Sequence, residues 1–183
     1  MKNSLSQQFL TFAKNNSMNS AYWYAVYTKA RAEKKTAELL KKNGMEVYLP
    51  LQKTLRQWSD RKKWVEVPLI RSYLFVKTNL SDYFEILNTP GVVRLITFEG
   101  KPAPIPEHQI KALQAIITEN VEIDAVDTNI PEGSPVEIIH GSLKGIKGEL
   151  VRHGTKKKVV IKLDHIATSF FINIPISQIK ITK

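Results

Sequence analysis

The side chains most often used in catalysis are few and scattered in this sequence. The chain has no cysteine, so it offers no thiolate nucleophile, disulfide framework or thiolate zinc site. It contains no glycine-rich phosphate loop, and six of its acidic residues cluster in residues 119–137 instead of pairing across a pocket. The histidines lack the regular spacing of metal ligands; they are His108, His140, His153 and His165. We therefore interpret the chain as a binding protein, not an enzyme, and expect no metal and no cofactor.

Basic side chains supply the chemistry that the sequence does offer. The net charge of +10 is uneven: residues 22–75 hold 12 Lys/Arg against 5 Asp/Glu, and residues 138–183 hold nine against two. Residues 119–137 between them hold six acids and no base. Basic surfaces of this size bind polyanions, of which nucleic acid is the most plausible here. The alternative is a solvated surface that keeps the protein soluble.

One strand pattern, Ser72 to Val76, is apolar on both faces of the pleat. Tyr73 and Phe75 point to one side, and Leu74 and Val76 point to the other. Such a strand is buried on both sides unless the helices of a small domain cover only one sheet face, which leaves the other face open for a partner. We expect the open face for Tyr73 and Phe75; the alternative is that both are core residues.

The elements around this strand predict an α+β fold, with an antiparallel sheet and helices mainly on one face. Thr28 is expected to cap a basic helix over Lys29–Asn43, which follows an aromatic strand over Tyr22–Tyr27. The later predicted elements are a strand at Met45–Leu49, a hairpin with a basic tip near Ser59–Asp60, the Ser72–Val76 strand, a helix at Ser81–Leu87, a strand at Val92–Phe98 and a helix after Pro106. We place this domain at residues 21–118.

Three further segments complete the chain. Residues 1–20, rich in Asn, Ser and Gln, are expected to form a loosely ordered tail, and residues 119–130 an acidic linker. Residues 131–183 contain five short strand patterns and no helix, which predicts a small SH3-like β-barrel. No long apolar run indicates a signal peptide or a membrane span, so we expect a cytoplasmic location.

Two sets of motifs, in this order and spacing, resemble those of the NusG family. The first, which resembles the family's NGN domain, consists of Trp23–Tyr27 before a basic helix, Pro68–Val76, Pro90–Val92 and Pro102–Pro106. The second, Gly133–Ile138 followed by Gly141–Glu149, resembles its KOW motif. The resemblance covers about residues 22–183.

The resemblance implies a non-catalytic factor that binds transcribing RNA polymerase. In NusG-like proteins the NGN domain contacts the clamp helices of the largest subunit and bridges the DNA cleft, which hinders pausing. By this resemblance, the polymerase-binding residues would be Pro68, Ile70, Tyr73 and Phe75. Aromatic anchors of this kind carry much of the binding energy of a small interface.

The sequence departs from the housekeeping form of the family in two places. Arg71-Ser72 stands where Pro-Gly usually precedes the tyrosine, and the first helix is unusually basic. The basic helix resembles specialised members of the RfaH and UpxY type, which act on selected long operons, often for surface polysaccharides. RfaH-type members contact exposed non-template DNA. The candidate nucleic-acid contacts are then Lys29, Arg31, Lys34 and Lys35; the alternative for each is an ordinary solvated helix face.

In the family, the KOW domain recruits partners such as a small-subunit ribosomal protein or the termination factor Rho. Leu143 and Ile146 would be the contact residues, unless they plug the end of the barrel. We expect a monomeric, specialised elongation and antitermination factor that promotes read-through of selected long operons. Two alternatives stay open: a general NusG-type elongation factor, and a free-standing KOW-type RNA-binding protein.

Overall fold

The structure is a computed structural model that describes residues 21–58, 60–118, 123–126, 133–141, 143–153, 156–162, 169–172 and 176–182. The predicted N-terminal tail, residues 1–20, lies outside the described residues. The described chain divides into two units. The first comprises residues 21–49 and 71–106, and the second comprises residues 50–70 and the described residues from 107 to 182.

Three α-helices and fifteen strands are present among the described residues. The helices are α1 (Glu33–Lys42), α2 (Tyr83–Asn88) and α3 (Glu107–Thr118). The strands are β1 (Tyr22–Thr28), β2 (Glu46–Tyr48), β3 (Leu51–Gln57), β4 (Lys62–Pro68), β5 (Tyr73–Thr78), β6 (Val92–Leu95), β7 (Thr97–Phe98), β8 (Lys101–Pro102), β9 (Pro104–Ile105), β10 (Ile123–Val126), β11 (Ser134–Ile138), β12 (Lys147–His153), β13 (Lys156–Lys162), β14 (Ser169–Ile172) and β15 (Ile179–Ile181).

An antiparallel sheet in the order β2–β5–β1–β6 forms the centre of the first unit, and β9 also pairs with β1. Aromatic and β-branched residues dominate both β1 and β5, as expected for strands in the middle of a sheet. Their register brings Tyr27 opposite Tyr73 and Ala25 opposite Phe75. The adjacent residues Val26 and Leu74 therefore lie opposite each other on the other face.

Helices α1 and α2 cover the Leu74 face of this sheet. Leu40 of α1 and Ile86 of α2 are fully buried in one cluster with Val26, Leu74 and Val76. Burying a large aliphatic side chain contributes about 1.5–3 kcal/mol, so this cluster is the main stabilising core of the first unit. The predicted α+β fold, with an antiparallel sheet and helices on one face, is confirmed for this sheet and these two helices.

Helix α1 begins at Glu33, not at Lys29 as the sequence predicted. Thr28 is the last residue of β1, and its backbone N–H donates to the Ser72 carbonyl at 2.8 Å instead of preceding a helix. Arg31 then has φ of 62°, in the left-handed region, so the chain turns sharply before the helix can start. Helical periodicity did not reveal this turn because a positive φ outside glycine leaves little trace in a sequence.

The second unit contains the predicted hairpin and a second antiparallel sheet. Strands β3 and β4 are paired along their whole length: Leu51 lies opposite Pro68 at one end, and Gln57 lies opposite Lys62 at the other. The Trp58 N–H donates to the Arg61 carbonyl at 2.8 Å and closes the turn. The second sheet has the order β10–β14–β13–β12–β11–β15. Its closure into an SH3-like barrel stays a prediction.

One strand of this sheet lies where the sequence indicated a linker. Strand β10 falls within residues 119–130 and pairs with β14, with Ile123 opposite Ile172. Four residues are too few for alternation to stand out against the surrounding acidic residues, which is why the strand was missed.

The second unit also has a buried cluster, in which Ile116 of α3 packs with Ile138 and Ile172.

Candidate functional site

Strand β5, in the interior of the first sheet, carries two of the four predicted polymerase contacts, Tyr73 and Phe75. It lies between β1 and β2, so both of its edges are paired. Leu74 and Val76 point into the core beneath α1 and α2, and neither is exposed. Because side chains alternate along a strand, Tyr73, Phe75 and Lys77 share the opposite face.

The prediction of an open face is wrong for Phe75. Its side chain is 0% exposed, and its ring stacks on Tyr48 of β2 with centroids 6.2 Å apart and planes inclined by 26°. Ala25 of β1, its partner on the other edge, is 1% exposed. Phe75 is therefore a core residue. Alternation gives the face on which a residue lies but not what covers that face, so the sequence could not reveal this burial.

The other two predicted polymerase contacts precede β5, in the second unit. Ile70 is 3% exposed, so little of its side chain is accessible to a partner. Pro68 ends β4 and is half-buried. Next to it, the Leu69 N–H donates to the Pro50 carbonyl at 2.8 Å and closes the base of the hairpin. Polymerase binding by Pro68 and Ile70 stays a prediction.

One accessible part of this face is a pair of tyrosines beside an arginine. Tyr27 and Tyr73, both half-buried, meet edge to face with ring centroids 5.2 Å apart. The guanidinium carbon of the exposed Arg94 lies 5.7 Å from the centroid of the Tyr27 ring. We call these three residues the tyrosine edge. Half-exposed aromatic rings beside a cation are well suited to binding a protein surface.

Sequence reasoning found Tyr73 but missed Tyr27 and Arg94. The alternation in Tyr22–Tyr27 was an available signal for Tyr27, because it places this ring on the face of Trp23 and Ala25. Arg94 left no such signal, since its position depends on the pairing of β6 with β1.

A strained turn positions Tyr73. Ser72 has φ of 61°, a left-handed conformation that costs a residue other than glycine about 1 kcal/mol or more. Its N–H donates to Oε1 of Glu33 at 2.8 Å, and its carbonyl accepts from the Thr28 N–H at 2.8 Å. Glu33 lies in the first turn of α1 and is only 6% exposed. These two hydrogen bonds hold the turn at Arg71-Ser72.

The same end of the sheet contains a second tight turn, at Pro90-Gly91. Gly91 has φ of 95°, and a Cβ there would overlap the hydroxyl oxygen of Thr36 on α1. The Thr36 hydroxyl donates to the Pro90 carbonyl at 3.2 Å, and the Lys29 N–H donates to the Gly91 carbonyl at 2.8 Å. The start of α1, the segment before it and both turns are therefore fixed to one another.

The four predicted nucleic-acid contacts, which we call the basic segment, are Lys29, Arg31, Lys34 and Lys35. All four are exposed, and the ion pairs of the described residues do not include them. Only Lys34 and Lys35 lie on α1, whereas Lys29 and Arg31 lie in the turn before it. They are thus neighbours in the chain but not one helix face.

The predicted KOW contacts differ from each other in exposure. Leu143 is 5% exposed and belongs to the buried cluster with Ile116 and Ile138. Ile146 is half-buried against the same cluster. The burial favours the plug interpretation for Leu143, and Ile146 keeps the larger accessible surface.

Metal-ligand clusters and membrane-spanning helices are both absent from the described residues. No group of three histidine or acidic side chains there is arranged to hold a metal ion. Nor does any helix of the described chain have the length and apolar composition needed to cross a membrane. Burial raises the pKa of Tyr48 above its ordinary value of 10.0, and its buried hydroxyl has no hydrogen-bond partner among the described residues.

Comparisons with known proteins point to one family. The NusG family, described as "Transcription termination factor nusG", matches residues 21–114. The "Transcription termination/antitermination protein NusG" of Streptococcus pyogenes serotype M3 is 29% identical over 156 residues, covering 77% of this chain and 86% of that protein. A solved structure titled "Domain interaction in Thermotoga maritima NusG" has the same fold, with a TM-score of 0.54 and 18% identity over 89% of this chain and 98% of that one. The chain therefore belongs to the NusG family of transcription termination and antitermination factors.

Proposed function

We propose that this chain is a specialised, non-catalytic elongation and antitermination factor that promotes read-through of selected long operons, such as surface polysaccharide genes. Factors of the NusG family bind RNA polymerase. One observation supports the specialised role: the 2.8 Å hydrogen bond from the Ser72 N–H to Glu33 links α1, which carries Lys34 and Lys35, to the turn that positions Tyr73. A polymerase contact and a nucleic-acid contact can thus act together on one rigid frame.

The tyrosine edge is the proposed polymerase contact, directed at the clamp helices of the largest subunit. Tyr27, Tyr73 and Arg94 combine accessible aromatic area with a cation, as interface hot spots do. Phe75 supports this surface from the core and does not touch the partner itself. Replacing Tyr73 with alanine should remove much of the polymerase binding and leave the fold intact.

The basic segment is the proposed contact to non-template DNA. Its four exposed cations are free of ion pairs with described residues, so a phosphate does not compete with an existing carboxylate partner.

We propose that residues 21–118 form the NGN domain, residues 119–130 the linker and residues 131–183 the KOW domain. The KOW domain would recruit a ribosomal protein or Rho through Ile146, and the factor would act in the cytoplasm as a monomer.

A general NusG-type role is the second candidate. The Streptococcus pyogenes relative is itself a NusG protein, and its likeness extends over 77% of this chain. A general factor would follow polymerase on most genes, whereas a specialised factor would be enriched on a few long operons. Both candidates require polymerase binding, which a free-standing RNA-binding protein would lack.

The deciding experiment maps the tagged protein along the genome of its host together with RNA polymerase. The wild type is compared with Arg31→Glu/Lys35→Glu and with Lys41→Glu/Lys42→Glu, a matched charge reversal at the exposed end of the same helix. The specialised role predicts enrichment on a few operons that only the first reversal abolishes, while polymerase pull-down persists. Uniform occupancy would establish the general role, and no correlation with polymerase would exclude both.

A further inference from the structure

The β3–β4 hairpin exposes a large amount of aromatic surface. Trp64 is 65% exposed and Trp58 is 52% exposed, whereas Trp23, the remaining tryptophan, is 6% exposed. Leu55 is 45% exposed as well. Exposed aromatic residues are uncommon on soluble proteins unless they bind something, because they give up the free energy of burial.

The register of the hairpin places part of this surface on one face. Leu55 lies directly opposite Trp64, and Gln57 lies opposite Lys62 two residues further along. Since side chains alternate along a strand, these four residues share a face, and all four are exposed. On β4, Lys63 and Val65 point to the other face; Lys63 is exposed and Val65 is half-buried. We call the face of Trp64 the solvent face of the hairpin.

The hairpin carries an excess of positive charge. Residues 50–70 contain five basic and two acidic residues. Lys53 and Lys62 lie on the solvent face with Trp64, whereas Arg56 and Lys63 lie opposite each other on the other face; all four are exposed. One of the two acids, Asp60, lies 3.8 Å from Arg61 and is partly neutralised by it.

We propose that the solvent face of this hairpin binds single-stranded nucleic acid by base stacking. Trp64 would stack on an unpaired base, while Lys53 and Lys62, which share its face, would contact the phosphates, the combination that single-strand binders use. A shallow depression of about 720 Å³, lined by Lys53, Trp64, Val65 and Glu66, lies beside the Trp64 ring.

Two considerations select this ligand. A duplex keeps its base faces stacked inside, where Trp64 cannot reach them, and the cores of protein interfaces are depleted in lysine. Stacking and phosphate contacts do not read the sugar, so DNA and RNA strands should bind equally well. The inference goes beyond the proposed function because it requires neither polymerase nor the basic segment.

The test measures binding of the full chain to fluorescein-labelled oligothymidine and oligouridine of about 20 nucleotides, longer than the site sizes typical of single-strand binders. Fluorescence anisotropy gives the affinity of each strand and of a duplex control. Trp64→Ala should weaken binding of both single strands by about 5- to 150-fold, the effect of losing one stacked base. Trp64→Phe should bind nearly as well as wild type, and Trp64→Leu should not.

Matched controls show whether the effect belongs to this face of the hairpin or follows from losing any exposed ring or any two positive charges. Phe98, another exposed aromatic residue, is in the first unit, and Phe98→Ala should bind as wild type does. Lys53→Ala/Lys62→Ala should reduce the slope of log affinity against log salt by roughly 0.7 for each phosphate that is no longer neutralised. Lys111→Ala/Lys180→Ala removes the same charge elsewhere and should not reproduce the full loss.

The proposal is overturned if Trp64→Ala or Trp64→Leu binds like the wild type. It is also overturned if duplex binds as tightly as single strands, or if one sugar is preferred more than about tenfold, a difference of 1.4 kcal/mol. Polymerase pull-down by the same variants is measured in parallel. Loss of oligonucleotide binding with normal pull-down supports the proposal, and the proposed polymerase role is judged separately through Tyr73→Ala.

Discussion

The tyrosine edge and the β3–β4 hairpin both present aromatic rings beside cations, but they are constructed differently. Around Tyr73, neighbouring strands, a stacked core ring and the Glu33–Ser72 hydrogen bond fix each group in place. Trp64 instead stands on a two-stranded ribbon with its outer face in solvent. Substitutions near the tyrosine edge should therefore change stability and binding together, whereas those on the hairpin face should change binding alone.

The largest expected effect contrasts Phe75 with Trp64. Phe75→Ala empties a fully buried site and should lower the free energy of unfolding by about 3–5 kcal/mol. Trp64→Ala removes a larger ring, but from an exposed position, and should change stability by no more than about 0.5 kcal/mol. Urea denaturation of both variants measures the difference. Similar losses in the two variants would contradict the contrast between the regions.

The next effect concerns the Pro90-Gly91 turn against which α1 packs. Gly91→Ala forces both a left-handed alanine and an overlap with Thr36, and should cost about 2–4 kcal/mol. Gly100, with φ of 77°, is the matched control because a Cβ there meets nothing within 4 Å. Gly100→Ala should cost only the conformational part, about 1–2 kcal/mol. Equal losses in thermal melts would mean that Thr36 moves away freely.

These two predictions depend on features that the sequence revealed only in part. The strand patterns around Tyr24 and Phe75, the basic hairpin and both sets of NusG-like motifs were readable because they are long or strongly periodic. The burial of Phe75 was not readable, since it depends on Tyr48, a residue distant in the chain. The helix start was misplaced because Arg31 adopts a positive φ. Arg94 joined the candidate site only through strand pairing.

A smaller effect tests whether Glu33 positions the tyrosine edge. Glu33→Ala leaves the Ser72 N–H without its acceptor in a part-buried turn and should cost about 1–3 kcal/mol. Glu33→Gln keeps an acceptor oxygen without the charge, so its cost should be about half as large. Glu38→Ala, an exposed change on the same helix, should cost no more than about 0.5 kcal/mol.

The readout that distinguishes positioning from stability is polymerase pull-down at a temperature where all three variants are folded. If Glu33 positions Tyr73 through Ser72, Glu33→Ala should weaken pull-down, Glu33→Gln should largely restore it, and Glu38→Ala should behave as wild type. Normal pull-down by folded Glu33→Ala would show that the turn keeps its geometry without the carboxylate.

The smallest effect, which is stabilising, concerns the hydroxyl of Tyr48, whose ring stacks on Phe75. It is buried without a hydrogen-bond partner among the described residues, and burying such a group is unfavourable. Tyr48→Phe removes the hydroxyl, keeps the ring stacked on Phe75, and should raise the free energy of unfolding by about 1 kcal/mol. Tyr22→Phe, at an exposed position, should leave stability unchanged at neutral pH.

The pH dependence of the same variant provides an internal check. Burial raises the pKa of Tyr48 in the folded state above 10.0, so the unfolded chain releases this proton first as pH increases. The contribution of the Tyr48 hydroxyl to stability is therefore constant at pH values below about 10 and becomes progressively more unfavourable above it. The stability difference between Tyr48→Phe and wild type should be constant from neutral pH to about 10 and then widen. A difference that narrows above pH 10 would mean that the hydroxyl ionises more readily in the folded protein, and that water or a cation reaches the Tyr48 hydroxyl.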